Sequence, residues 1–158
     1  MRNLKKGLFA LVVILAGISA LTILFWQNTA AAPRQRKTAI SGSSELLARL
    51  IHAEAGAEPY TGQVAVGAVI LNRIQNVKFP KTIAGVVYQP HAFESVSNGQ
   101  INTAPTDSAR KAARAALSGW DPSGGALFFY NPAKVTSPTS YIWTRRTIQK
   151  IGRHLFAL

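Results

Sequence analysis

Apolar and polar residues divide this chain of 158 residues into three parts. Residues 7–26 (GLFALVVILAGISALTILFW) carry no charge, and residues 27–43 are small, polar and basic without an apolar period. From residue 44 onward, apolar residues recur first at the spacing of helices and later in short β-like runs. We therefore expect a hydrophobic segment within residues 1–26, a flexible basic linker at residues 27–43 and one domain at residues 44–158.

The hydrophobic segment is long enough to cross the hydrocarbon core of a bilayer. The bases of the preceding MRNLKK keep the N-terminus in the cytoplasm, so that the rest of the chain is exported. Residues 30–32 (AAA) offer a signal-peptidase site, so the segment is either a membrane anchor or a cleaved signal peptide. Both interpretations place residues 44–158 outside the cytoplasm, on the membrane or in the cell wall.

Helical spacing predicts the first element of the domain. Ser44 is the expected N-cap of a helix whose apolar face contains Leu47, Leu50 and Ile51. Glu54 is the next residue on that face. A carboxylate at the end of an apolar helical face is the least ordinary placement of an acid in this sequence.

The other elements predict an α+β domain with a helical core and a small antiparallel sheet. A second helix from Pro59 to Arg73 is apolar all round and is therefore expected to be the central buried helix. The remaining predicted elements are a short helix at residues 82–88, a strand or hairpin at residues 91–102 that turns at Asn98-Gly99, a helix from its N-cap Thr106 to Gly119, and strands at residues 126–130, 141–143 and 147–156.

Charge and composition restrict the possible partners. The chain has 18 lysines and arginines against 6 acids, and all the acids lie in residues 44–158 together with 12 of the bases. This excess of positive charge indicates an anionic partner, and export favours lipid or cell-wall polymer over nucleic acid. The absence of cysteine excludes disulfides and thiolate chemistry.

Familiar catalytic motifs are absent from the sequence. It contains no GxSxG, no phosphate-binding loop, no HExxH and no dinucleotide fingerprint. The histidines, His52, His91 and His154, are far apart, so each is more simply a surface or packing residue than a zinc ligand. We expect neither a metal nor another cofactor.

Glu54 is the predicted catalytic residue. Partial removal from water where the helix ends favours its protonated form, which can donate a proton to a glycosidic oxygen. The alternative is that Glu54 pairs with an arginine such as Arg73 or bonds a buried backbone group. None of the other acids has a comparable claim, and Glu58 is as well explained by charge stabilisation of the second helix. This scarcity of acids favours a mechanism that needs only one carboxyl group.

Aromatic and amide side chains in the domain suit sugar binding, because ring faces stack on pyranoses and amides bond to ring substituents. We expect Tyr60, Gln63, Phe93, Tyr130 and Asn131 to shape a glycan groove, and Trp143 is a further candidate. Each aromatic could instead be a core residue, above all Phe93 and Trp143.

Six ordered blocks of sequence resemble the SleB-type cell-wall hydrolases, the spore cortex-lytic family. They are LLARLIHAEAGAEPYTGQVAVGAVILNRI, FP, VVYQPHAF, NGQI, ALSGWDPSGGALFFYNP and IGRHLF, which together span about residues 44–156. The resemblance implies a lysozyme-like helical catalytic core and an exported enzyme that cleaves the glycan strands of peptidoglycan, commonly in the spore cortex during germination.

The same resemblance implies roles for individual residues. The (N/H)xEAxxE block of the family places its catalytic glutamate at Glu54 and its second acid, of less defined role, at Glu58, which we include among the substrate-binding residues. In a lytic transglycosylase one glutamate protonates the leaving oxygen and then accepts the proton of the muramic C6 hydroxyl. A lytic transglycosylase or muramidase is therefore the expected activity.

Two hypotheses from other classes remain open from the residues alone. The domain could be a membrane-tethered module that binds peptidoglycan through its charge and aromatics without catalysis. It could also be a DNA-binding domain, although that requires a cytoplasmic location. No protein partner can be read from the sequence.

Overall fold

The computed structural model describes the backbone of residues 32–137 and 139–158, and side chains from residue 42 onward within those ranges. One compact unit comprises Ser41–Leu158. Within the described part of the chain, no helix is both long and apolar enough to cross a membrane. The predicted hydrophobic segment at residues 7–26 lies outside the described residues, and the division at residues 26 and 43 stays a prediction.

Helix α1 (Ala32–Ala55) carries the predicted apolar face of the domain's first helix. Leu47, Leu50 and Ile51 are completely buried, which confirms that face. The predicted start at Ser44 is wrong, because the same helix already includes residues 32–43.

Helix α2 (Tyr60–Gln75) is the central element, as predicted. Its residues from Gly62 to Ile70 are all buried, so it is covered by other elements on every side. Gly67 allows the closest approach, because a methyl group there would lie 2.9 Å from Ile51 and 3.1 Å from Ala116. The missing side chain lets α1 and the helix that contains Ala116 pack directly against the α2 backbone.

Helix α5 (Asp107–Leu117) is the clearest amphipathic helix, and its prediction is confirmed. The hydroxyl of Thr106 accepts a hydrogen bond from the backbone N–H of Ala109 at 3.2 Å and caps the first turn. The small buried face packs against α2 and consists of Ala109, Ala112, Ala113 and Ala116.

Two short helices lie between α2 and α5. Helix α3 (Ile83–Val87) confirms the prediction for residues 82–88. Helix α4 (Glu94–Ser97) and a 3₁₀ turn (Gln100–Asn102) replace the predicted strand or hairpin, which is wrong. The reason is that Asn98-Gly99 ends a helix here, with Gly99 in the left-handed conformation at φ 81°, instead of joining two strands.

The sheet has three antiparallel strands in the order β1–β3–β2. They are β1 (Phe128–Tyr130), β2 (Thr147–Ile151) and β3 (His154–Ala157), which confirms the helical core with a small antiparallel sheet. The strand predicted at residues 141–143 is wrong, because Tyr141–Thr144 forms a 3₁₀ turn. Its Trp143 indole donates to the carbonyl of Ser137 at 3.0 Å, a local contact that a strand would not make.

An ion pair attaches the β2–β3 turn to the loop between α1 and α2. Glu58 is 8% exposed, and its carboxylate accepts hydrogen bonds from the backbone N–H of Arg153 at 2.9 Å and from its Nε at 2.8 Å. The guanidinium also donates to the carbonyl of Ala57 at 3.1 Å. At Gly152, with φ 57°, any side chain would collide with the Glu58 carboxylate. Glu58 therefore anchors the hairpin, and its position before α2 also agrees with helix stabilisation.

We predict that Glu58→Gln destabilises the domain above pH 5 and much less in acid. Burial alone would raise the pKa of Glu58, but the hydrogen bonds and charge of Arg153 and the charge of His154 lower it overall. A lowered folded-state pKa adds stability above the ordinary value of 4.5, and that stability disappears as pH falls through the folded-state value. Because the Arg153 guanidinium is largely exposed, we expect a loss of about 1–2 kcal/mol at neutral pH.

Urea unfolding of the full chain between pH 3 and pH 7 measures this effect. Glu94→Gln is the matched control, because Glu94 is exposed and the substitution should leave stability within about 0.5 kcal/mol. A stability difference between wild type and Glu58→Gln that stays constant across this pH range would contradict the assignment.

Candidate active site

Glu54 lies in the last turn of α1, partly exposed, one turn beyond the buried Ile51. The hydroxyl of Ser95 donates a hydrogen bond to its Oε1 at 2.6 Å. Ser95 is 3% exposed and belongs to the short helix α4, forty-one residues further along the chain. The fold thus brings a partly exposed carboxyl group and a buried hydroxyl together.

Glu54 forms no salt bridge with any residue that the structure describes. The alternative partner, Arg73, donates its Nε hydrogen to the carbonyl of Leu127 at 2.7 Å instead. One carboxylate oxygen of Glu54 is held by a neutral donor, while Oε2 accepts no hydrogen bond from the described residues. This arrangement leaves one oxygen for exchange of a proton with a ligand.

Four of the five remaining acids of the domain are bound by other groups. Glu45 and Asp107 form ion pairs with Arg110 at 3.3 and 3.7 Å, and Glu58 is bound by Arg153. Glu94 is exposed at the start of α4.

Asp121 holds the loop that leads into β1. Its carboxylate accepts hydrogen bonds from the backbone and side chain of Ser123, from the Asn72 amide at 3.0 Å and from the Gly125 N–H at 2.9 Å. Burial would raise the pKa of Asp121, but these hydrogen bonds lower it overall. A carboxylate so fully bonded is not available as a catalytic nucleophile or base.

Three of the residues predicted to bind substrate have buried side chains. Glu58, Gln63 and Phe93 are 8%, 5% and 6% exposed. The Gln63 amide donates to the carbonyl of Glu58 at 3.1 Å and accepts from the hydroxyl of Ser108 at 2.9 Å. Phe93 stacks on Phe129 with ring centroids 6.2 Å apart. In this conformation the three side chains pack in the protein interior and leave little surface for a sugar, so their role in substrate binding stays a prediction.

The other predicted sugar-binding residues are accessible. Tyr60 is 40% exposed and lies beside Trp120, which is 46% exposed, with ring centroids 5.9 Å apart. Tyr130 is half-buried and meets the exposed Trp143 edge to face at 5.6 Å. The side-chain Oδ1 of Asn131 accepts a hydrogen bond from the backbone N–H of Ala133 at 3.0 Å, and the side-chain NH₂ group has no partner among the described residues.

The histidines do not come together. His52 lies on α1, His91 lies in the loop before α4, and His154 lies in β3. Burial lowers the pKa of His154. The charge of Glu58 opposes this effect, and the charges of Arg153 and Lys134 add to it. In residues 32–137 and 139–158, no three side chains of the His, Cys, Asp and Glu types are grouped as metal ligands.

Sequence reasoning missed Ser95 and Trp120. The sequence around Ser95 carries no motif, and its assignment to a hairpin hid the fact that its hydroxyl faces α1. Trp120 follows Gly119, whose positive φ of 98° ends α5 and turns the chain back, so its proximity to Tyr60 depends on that turn. The sequence indicated the turn through Gly119 but did not indicate that Trp120 lies beside Tyr60.

Comparison with known proteins identifies relatives over most of this unit. The family model described as Cell Wall Hydrolase matches residues 57–157, beginning three residues after Glu54. The spore cortex-lytic enzymes of Bacillus cereus and Bacillus subtilis are 49% and 50% identical over 112 and 111 residues, or 71% and 70% of this chain. The matched region is only 42% and 36% of those proteins, so this chain spans less than half of their length.

A solved structure shares the fold. The catalytic domain of SleB from Bacillus anthracis, described as a germination-specific lytic transglycosylase, is 46% identical to this chain. It superimposes with a TM-score of 0.69 over 73% of this chain and 93% of that domain. The family match over residues 57–157 and this degree of identity show that the chain belongs to the cell wall hydrolase family.

Proposed function

We propose that this chain cleaves the glycan strands of peptidoglycan as a lytic transglycosylase, with Glu54 as the proton-transfer group. This proposal rests on the partly exposed Glu54 carboxyl group, which accepts a hydrogen bond from Ser95 and has no basic partner among the described residues. The names of the relatives support the substrate class. By the same similarity we propose the spore cortex as substrate, during germination or sporulation, and an extracytoplasmic, spore-associated location.

In the first step, protonated Glu54 donates its proton to the oxygen that links two sugars. The Ser95 hydroxyl occupies Oε1, so the proton is carried by Oε2. As the C1–O bond of the muramic residue breaks, the leaving sugar keeps the proton and positive charge develops on the muramic ring. The Glu54 carboxylate formed in this step accepts the Ser95 hydrogen bond as a charge-assisted one, which is stronger than a bond between neutral groups.

In the second step, the same carboxylate accepts the proton of the muramic C6 hydroxyl. The C6 oxygen then attacks C1 and closes a 1,6-anhydro ring, and Glu54 is again protonated for the next cycle. No water and no second carboxylate take part. The ion pairs of Glu45, Glu58 and Asp107 and the hydrogen bonds of Asp121 support this mechanism over one with a separate nucleophile or base. Hydrolysis by a muramidase mechanism is the second candidate, since it also begins with a proton from Glu54.

For the glycan groove we propose Tyr60, Tyr130 and Asn131, because these predicted sugar-binding side chains remain accessible. Trp120 and Trp143 add ring faces beside Tyr60 and Tyr130. The positive charge of residues 44–158 suits an acidic wall polymer. We further propose that residues 7–26 anchor the chain in the membrane or direct its export.

Glu54→Gln in the full chain should lower the rate of muropeptide release from sacculi by about 10²–10⁴-fold, the usual contribution of a general acid. Glutamine keeps the size of the side chain, so the melting temperature should stay near that of wild type. Glu94→Gln is the matched control and should retain wild-type activity. Retained activity in Glu54→Gln would show that another group transfers the proton. Binding to sacculi by wild type without any release would instead favour a non-catalytic wall-binding module.

Ser95→Ala should lower kcat by about 10–100-fold, because a hydrogen bond to a charged group contributes about 1.5–3 kcal/mol. The KM should change little, since the hydroxyl is buried and does not meet the substrate. Ser97→Ala, on an exposed position of the same helix, is the control. Unchanged kcat in Ser95→Ala would remove Ser95 from the proton-transfer step.

Tyr60→Ala should raise the KM for glycan strands roughly two- to tenfold, as expected when an aromatic contact worth about 0.5–1.5 kcal/mol is lost. Its kcat should remain within about twofold of wild type, because the ring does not transfer protons. Tyr88→Ala removes another exposed tyrosine, 55% accessible, and serves as control. Equal KM values for the two variants would place Tyr60 outside the groove.

A further inference from the structure

Arg73 is a buried cation without an acidic partner in the described part of the chain. It lies near the end of α2, is 8% exposed and takes part in no salt bridge there. Burial lowers the pKa of Arg73, and Tyr141 offsets part of that effect. A charge removed from water in this way needs compensation from its surroundings.

Aromatic rings supply that compensation. The central carbon of the guanidinium lies 5.3 Å from the ring centroid of Phe79, 5.4 Å from that of Phe93 and 5.5 Å from that of Phe128. The electron-rich faces of these rings attract the cation, and the Nε–H donates to the carbonyl of Leu127. Arg73 therefore contacts three segments of the chain, which are the turn after α2, the start of α4 and β1.

One of those segments carries the residue that holds Glu54. Phe93 immediately precedes the four residues of α4 and is its N-cap, but no side chain caps the helix there. Ser95 follows two residues later and bonds Glu54. A helix this short has too few internal hydrogen bonds to fix its own position, so its location depends on the packing of Phe93. That ring packs between Arg73 and Phe129.

We propose that Arg73 is a positioning residue for catalysis, which acts through the Phe93 ring to hold Ser95 at hydrogen-bond distance from Glu54. The proposal rests on the proposed role of Glu54. Arg73 itself touches no reacting atom. Its loss lets Phe93 and α4 shift, so the Ser95 hydroxyl leaves Oε1 and the proton-transfer steps slow.

A double-mutant cycle separates positioning from simple stabilisation. The rate of muropeptide release and the KM are measured for the full-length wild type, Arg73→Met, Ser95→Ala and the double variant, at a temperature where all four are folded by circular dichroism. Methionine keeps the length and apolar character of the Arg73 stem and removes the charge and the Nε donor. We expect Arg73→Met to lower kcat about tenfold in the wild-type background and to leave KM within about twofold.

In the Ser95→Ala background the same substitution should lower kcat by less than about twofold, because the contact it acts on is already absent. Its effect on the melting temperature should be equal in both backgrounds. An equal loss of kcat in the two backgrounds would overturn the proposal and leave Arg73 a purely structural residue. Failure of the proposed function is seen separately, since in that case Glu54→Gln would keep its activity.

Arg145→Met is the matched control. The Arg145 guanidinium lies 4.3 Å from the Phe128 ring centroid but is exposed and has no contact of this kind with Phe93, so kcat should be unchanged. If Arg73→Met does not fold, Phe93→Leu replaces it in the cycle, because it removes the ring and keeps an apolar side chain. Arg73→Lys, which keeps the charge without the Nε donor, should recover part of the lost kcat.

Discussion

Three polar side chains on the largely buried helix α2 need hydrogen-bond partners, and they find them in the segments that surround the helix. Gln63 bonds the loop before α2 and the first turn of α5. Asn72 bonds Asp121 and the carbonyl of Ala126, and Arg73 bonds the carbonyl of Leu127. Because unpaired polar groups are costly inside a protein, these bonds determine where the surrounding loops lie. The apolar side chains of α2 fill the centre of the core, and its polar side chains hold the surrounding segments in place.

Most acids of the domain are likewise bound by other groups. Of the six carboxylates, Glu45, Glu58 and Asp107 bind arginines and Asp121 binds a loop. Glu54 differs because its described partner is a hydroxyl group, which holds the side chain without neutralising it by a positive charge. This difference is the reason that we propose Glu54, and no other acid of the domain, as the proton-transfer group.

Helical spacing predicted the three main helices and placed Glu54 at the end of an apolar face, because periodicity reflects burial directly. The Thr106 cap was equally readable, since its bond reaches only three residues along the chain. The hairpin expected at residues 91–102 failed because Asn98-Gly99 suits a helix end as well as a turn between strands. The burial of Gln63 and Phe93 and the contact of Ser95 with Glu54 depend on residues tens of positions away. No local pattern contains that information.

In the proposed reaction Glu54 transfers both protons and water takes no part. Digestion of sacculi by the full chain in H₂¹⁸O, followed by mass spectrometry of the newly released muropeptides, distinguishes this reaction from hydrolysis. We expect 1,6-anhydromuramic ends without the heavy isotope. New reducing ends in place of anhydro ends would show that water attacks the sugar and would rule out the single-carboxyl mechanism.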